Sequence, residues 1–162
     1  MQKEGSYFTN KPVLFYVGLG LSGFAALLSL IVATVYGACY AHSVYYSGWG
    51  VALPIVGAGL FAAAVTVKVF FNKIPYADVI GAVVLWLLSF LGFILFINTS
   101  YLYFSEVFYG GFSAEALANM DAAYIVCLLF FVLAIILSNI GMFMLGAKRV
   151  KQTAETEEGV EV

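Results

Sequence analysis

The chain has few of the residues that usually carry catalysis or bind metals. Only 10% of its 162 residues are charged, and it contains one histidine and two cysteines. One histidine cannot supply a multi-histidine metal site or both axial ligands of a bis-histidine haem. It also leaves no histidine-based nucleophile–base pair to assemble. Cys39 and Cys127 form no CxxC motif, so the sequence predicts no zinc site and no redox pair. We therefore expect a non-enzymatic protein that uses neither metal nor cofactor.

Basic residues are scarce as well, and the formal net charge is −2. Nucleic-acid binding requires a clustered basic face. The sequence offers none, which excludes nucleic acid as an expected partner.

Apolar residues, by contrast, are abundant. They make up 64% of the chain, and the mean hydropathy is +1.02. A soluble domain carries about 45–50% apolar and about 25% charged residues. A soluble fold of this size has too large a surface to hide so much apolar area. The composition therefore indicates a membrane protein surrounded by lipid.

Four long apolar segments cover residues 13–40, 51–71, 76–97 and 121–145. Each is close to or longer than the ~20 residues that cross a hydrocarbon core as a helix. The alternating pattern of a membrane β-barrel is absent from these segments. The predicted fold is an all-α bundle of four transmembrane helices.

The basic residues are distributed unevenly along this predicted bundle. Four crossings place all seven of them on one side, and the other side receives none. Positive charge favours the cytoplasmic side, so we expect both termini there and the protein to be multi-pass in the plasma membrane. The seven residues are Lys3, Lys11, Lys68, Lys73, Lys148, Arg149 and Lys151.

This topology divides the chain into three parts. Residues 1–12 form a cytoplasmic N-terminus, residues 13–147 form the transmembrane domain, and the acidic tail 148–162 is predicted to be disordered. The two outer loops are expected at about 41–50 and 98–120. In the second loop, Ser113 is placed to cap a short helix over residues 114–118.

Small residues recur at helical spacing in the first two segments. Such residues let helix backbones approach closely in lipid. Two interpretations stay open: packing inside the bundle, or contact with another protein. The candidate contact residues are Gly18, Ser22, Ala26, Ala33, Gly37, Ala58 and Ala62.

Three polar residues form a second candidate site. Asn139 lies nine residues before Lys148, about 13 Å into the membrane at 1.5 Å per residue, and Ser138 is next to it. Asp78 opens the third segment, where the helix dipole favours a carboxylate. Asn139 and Ser138 could hold helices together by hydrogen bonds or, with Asp78, contribute to a transport path.

These observations favour a small accessory, scaffold or assembly subunit. Its partners would be membrane lipid and other membrane proteins or further copies of itself, reached through helix–helix and outer-loop contacts. The alternative is a homo-oligomeric carrier or channel for a small solute, using Asn139, Ser138 and Asp78.

Overall fold

The computed structural model describes residues 13–71, 74, 76–111, 113–118 and 120–158, with only the backbone described for Leu117 and residues 147–158. This part of the chain contains five helices and no strand. They are α1 (Val13–Tyr40), α2 (Gly48–Phe71), α3 (Ala77–Val107), α4 (Ala114–Ala118) and α5 (Ala122–Glu158).

Four of the helices are long and apolar enough to cross a membrane: α1, α2, α3 and the Ala122–Gly146 part of α5. The predicted all-α chain with four such helices is therefore confirmed. The helices run up and down. We call the end of the bundle near Val13, Phe71, Ala77 and Gly146 the terminal end, and the opposite end, near Tyr40 and Ala122, the distal end.

The first and last long helices form one close pair. A Cβ built on Gly18 of α1 would lie 2.9 Å from Met144 Cβ and 3.1 Å from the Gly141 carbonyl oxygen of α5. Real Cβ atoms are not found so close to another atom, so only glycine allows this approach of the two backbones.

The second close pair joins α2 to α3. A Cβ on Gly81 would lie 2.6 Å from Ala64 Cβ, and one on Gly92 would lie 2.8 Å from the Pro54 ring. Pro54 lies inside α2, where its ring fits against the space that Gly92 leaves open. Glycine thus sets the helix spacing in both pairs.

Two hydrophobic cores join the pairs to each other. The core nearer the terminal end contains Phe15, Ala25, Ala58, Phe61, Ala82, Leu85 and Leu145. The core nearer the distal end, which we call the aromatic core, contains Val32, Tyr36, Tyr40, Phe96, Met120, Tyr124, Cys127 and Phe131. The hydroxyls of Ser29 on α1 and Ser89 on α3 lie 3.1 Å apart and link the two helices directly.

Helix α3 continues to Val107, ten residues beyond the predicted end of the third segment. Polar side chains in this extension bond to their own helix: Thr99 Oγ1 donates to the Leu95 carbonyl at 2.7 Å, and Ser105 Oγ donates to Leu102 at 2.7 Å. The predicted loop at 98–120 is therefore much shorter. The short helix predicted within it is present as α4, and Ser113 Oγ accepts a hydrogen bond from the Ala116 amide at 3.1 Å.

The tail also differs from expectation. Its acidic composition predicts disorder, whereas the backbone of α5 is helical through Glu158. Residues 147–158 are mostly good helix formers such as alanine, lysine, glutamine and glutamate, and they include no glycine or proline. The rest of the predicted tail, residues 159–162, lies outside the described residues, as do residues 1–12.

Candidate functional site

The small residues that the sequence predicts as one contact site differ in how deeply the structure buries them. Gly18, Ser22 and Ala33 of α1 are buried, as is Ala58 of α2. Their positions serve packing inside the bundle. The remaining candidates are less enclosed: Ala26 and Gly37 are half-buried and Ala62 is exposed.

An open groove of about 470 Å³ separates α1 from α2 and contains two of these less enclosed candidates, Ala26 and Ala62. The hydroxyl of Thr66 also lines it, but Thr66 Oγ1 donates a 2.8 Å hydrogen bond to the Ala62 carbonyl. The side chains of the groove are therefore apolar or already hydrogen-bonded. Its lining is Leu19, Gly23, Ala26, Leu27, Leu30, Ala58, Phe61, Ala62, Val65 and Thr66.

Three other glycines of α1 and α2 differ from those in the close pairs. A Cβ built on Gly20, Gly23 or Gly59 would have no atom within 4 Å. Gly23 lines the groove, and the other two lie on the same two helices. Glycine inside a helix costs about 1 kcal/mol relative to alanine. A close helix contact offsets that cost at Gly18, Gly81 and Gly92. Gly20, Gly23 and Gly59 have no such contact with any of the described residues.

At the distal end, tyrosines tie the first loop to the rest of the bundle. Tyr36, buried in the aromatic core, donates from its hydroxyl to the Tyr45 carbonyl at 2.6 Å and accepts from the Ser47 amide at 3.0 Å. Tyr45 in turn donates to Glu106 Oε2 at 3.1 Å. This hydrogen bond, with smaller contributions from burial and the charge of Glu106, raises the pKa of the Tyr45 phenol above its ordinary value.

A second set of bonds secures the start of α5. Asp121 Oδ2 accepts a 2.6 Å hydrogen bond from Tyr40, and its Oδ1 accepts from the Ala123 amide at 3.0 Å, which caps the helix. The Asp121 amide donates to the Tyr103 hydroxyl at 2.7 Å. The rings of Tyr103 and Tyr124 stack with centroids 4.2 Å apart. Hydrogen bonds and ring stacking thus connect α1, α3 and the start of α5 at the distal end.

The polar candidates lie at different levels of the bundle. Ser138 is buried and donates to the Ile135 carbonyl of its own helix at 3.1 Å, whereas Asn139 is only half-buried. Asp78, 1% exposed, lies in the first turn of α3 at the terminal end. The position of Ser138, eight residues before Gly146, puts it about 12 Å from that end at 1.5 Å per residue.

Sequence reasoning missed how many hydroxyl groups the interior holds. Ser29 and Ser89 meet between α1 and α3, and Ser100 is buried nearer the distal end. An isolated serine in an apolar segment does not indicate which residue lies opposite it, so the sequence does not predict that Ser29 and Ser89 meet. Lys68 is also unexpectedly enclosed, at 7% exposed, and donates to the Ile74 carbonyl at 3.0 Å.

The buried hydroxyls are spaced too widely to form a continuous hydrogen-bonded chain. Ser22 and Ser29 are seven residues apart on α1, about 10 Å, and Ser89 and Ser100 are eleven residues apart on α3, about 16 Å. The two hydrophobic cores occupy the interior between these levels. Within the described residues, the single chain therefore has no unbroken polar path from one end to the other.

Comparison with protein-family models, curated proteins and solved structures finds no match to this chain. The class of protein is therefore defined by the fold alone: an all-helical chain with four helices of membrane-spanning length and composition.

Proposed function

We propose that the protein is a multi-pass membrane protein of the plasma membrane and serves as an accessory or scaffold subunit. In this proposal the groove between α1 and α2 receives a transmembrane helix of another membrane protein. The observation that carries the proposal is the group of uncontacted glycines, Gly20, Gly23 and Gly59, on the two helices that border an apolar groove.

The orientation follows from the charges. All seven basic residues belong to the terminal end of the bundle or to the segments that continue from it, and no lysine or arginine occurs between Lys73 and Lys148. Positive charge is retained on the cytoplasmic side. The terminal end is then cytoplasmic, and the tyrosine-rich distal end lies at the outer interface, where amphipathic aromatic rings are enriched.

A helix suits the groove better than a solute does. Helices associate in lipid through close packing at small residues, and Gly23, Ala26 and Ala62 provide such a surface. A polar solute would need hydrogen-bonding groups, but the one side-chain hydroxyl of the lining already bonds to its own helix. The chemistry of the groove therefore favours an apolar occupant that packs closely.

Photocrosslinking tests the proposal. A photoreactive benzoylphenylalanine in place of Ala62 should form an adduct with one membrane protein in native membranes, identified by mass spectrometry. The same group at Val132, an exposed position on α5, should give no specific adduct. Gly23→Leu should then abolish co-purification of that protein, whereas Val132→Leu should not. Equal crosslinking at both positions would refute the groove as the contact site.

The alternative is a homo-oligomeric carrier or channel in which several chains together supply a polar path. An adduct between two copies of the chain at Ala62 would favour it. The Asn139→Leu variant provides a second test that distinguishes the accessory subunit from the carrier. We expect this variant to insert and to recover its partner at wild-type levels, and we expect no solute flux into vesicles from either form. A saturable flux that the substitution abolishes would favour the carrier.

A further inference from the structure

Helix α3 carries a second groove, in its distal half. The groove has a volume of about 370 Å³ and is lined by Phe93, Ile94, Ile97, Asn98 and Tyr101. Phe93 packs against Phe131 of α5, with ring centroids 5.8 Å apart, so one side of the groove borders the aromatic core. Its remaining surface faces away from the bundle, since Ile94 and Tyr101 are 45% and 67% exposed.

The lining changes in polarity along the helix. Phe93, Ile94 and Ile97 are apolar, while Asn98 and Tyr101, which follow towards the distal end, carry an amide and a phenol. Asn98 is exposed, and in the described part of the chain neither of these two side chains has a protein hydrogen-bond partner. Two unbonded polar side chains one turn apart therefore lie at one end of an apolar groove.

The level of these side chains matches the interface of a membrane. Asn98 lies two residues after Phe96, whose ring contacts Tyr36 and Tyr124 at centroid distances of 5.1 and 5.8 Å. Tyrosines of transmembrane helices concentrate at headgroup depth. The apolar part of the groove then lies at the depth of acyl chains, and Asn98 and Tyr101 lie at the depth of phosphate and ester groups.

From this arrangement we infer a binding site for one zwitterionic phospholipid of the outer leaflet. The Asn98 amide and the Tyr101 phenol donate hydrogen bonds to the phosphodiester, and an acyl chain lies along Ile94 and Phe93. No lysine or arginine occurs between Lys73 and Lys148, so the site has neutral donors and no cation to compensate a net negative headgroup. The inference depends on the proposed membrane insertion but not on the partner helix.

Native mass spectrometry of the purified protein, after incubation with equal amounts of phosphatidylethanolamine and phosphatidylglycerol, tests the site. The wild type should retain one phosphatidylethanolamine in preference to phosphatidylglycerol. Asn98→Leu should lower the retained fraction roughly five- to tenfold, as expected for loss of one or two hydrogen bonds. Tyr101→Phe should lower it in the same direction and serves as the second variant if Asn98→Leu does not fold.

Two substitutions act as matched controls. Asn139→Leu makes the same chemical change on α5 and should leave retention unchanged, and Asn98→Gln keeps both amide donors and should retain most of it. Equal retention of phosphatidylglycerol by the wild type would overturn the headgroup assignment. Undiminished retention by both Asn98→Leu and Tyr101→Phe would overturn the site itself. Crosslinking at Ala62 is independent of these results, so failure of either proposal can be recognised separately.

Discussion

Tyr40 donates a 2.6 Å hydrogen bond to Oδ2 of Asp121, which joins the last residue of α1 to the residue that precedes α5. The Tyr40 side chain is 8% exposed, so water cannot readily replace its partner. Tyr40→Phe removes the bond and should lower the free energy of unfolding by about 1.5–3 kcal/mol, the range for a hydrogen bond to a charged group. Thermal unfolding in detergent measures the change. Tyr109→Phe, at a 94% exposed position, should have no effect, and equal stability of both variants would contradict the prediction.

The contact between α1 and α5 leaves no room for a methyl group at Gly141. A Cβ there would overlap the Ser22 hydroxyl and lie 2.8 Å from the Gly18 carbonyl oxygen. Gly141→Ala should therefore destabilise the protein by about 1–3 kcal/mol through overpacking.

Two further variants check this cause. Adding Ser22→Ala should restore part of the lost stability, because it removes the overlapping oxygen. Gly20→Ala, where nothing lies within 4 Å, should stabilise the helix by up to about 1 kcal/mol. Denaturant unfolding of the four proteins side by side measures these differences, and an unaffected Gly141→Ala would show that the helix pair is looser than described.

The phenol of Tyr45 should lose its proton at a higher pH than that of an ordinary tyrosine. Its hydrogen bond to Glu106, followed by burial and the charge of that carboxylate, raises the pKa of the phenol above its usual value near 10. Because the pKa is raised in the folded state, the Tyr45–Glu106 hydrogen bond stabilises the fold fully below pH about 10. That stabilisation is lost as pH rises through the folded pKa. The tyrosinate absorbance of wild type minus Tyr45→Phe reports the titration. Glu106→Gln should move it to lower pH, whereas Glu115→Gln should not.

Topology can be tested in a cysteine-free background. Single cysteines in place of Lys3, Lys73 and Gln152 should resist an impermeant thiol reagent in intact cells, and a cysteine in place of Ser113 should react. All four should react after permeabilisation. The expectation follows from the absence of lysine and arginine between Lys73 and Lys148, together with the preference of positive charge for the cytoplasmic side. Labelling of the first three positions in intact cells would reverse the orientation.

The number of helices could be predicted from the sequence because hydropathy and length alone determine which segments can span a membrane. The residue at which α3 ends could not be predicted in this way. Asn98, Thr99 and Ser100 resemble a loop by composition, yet Thr99 bonds to the carbonyls of Leu95 and Phe96 and so satisfies its hydroxyl within the helix. Tyr103 and Phe104 then continue α3 as packing residues of the distal end, which their apolar and aromatic character alone does not indicate.

The candidate sites were predictable only in part. Small residues can be read from the sequence, but their partners cannot, because spacing gives a helix face without saying what lies opposite. Gly18 and Ala62 belong to the same predicted group, yet one is enclosed by α5 and the other is exposed. The sequence favours Asn139 as the interior polar residue, whereas the buried one of the pair is Ser138. In both cases, the orientation of the helix about its own axis determines which residue is buried and which is exposed.

The pairing of the first helix with the last has a consequence for biosynthesis. Gly141 follows Gly18 by 123 residues, so the α5 surface that contacts Gly18 does not exist until those residues have been translated. At roughly 5–20 residues per second this interval is about 6–25 s. During that time α2 and α3, close neighbours in the chain, can form their hairpin, and α1 can pack against them through Ala25, Ala58 and the Ser29–Ser89 contact. The contact between α1 and α5 is therefore the last of these helix contacts that the order of synthesis allows to form.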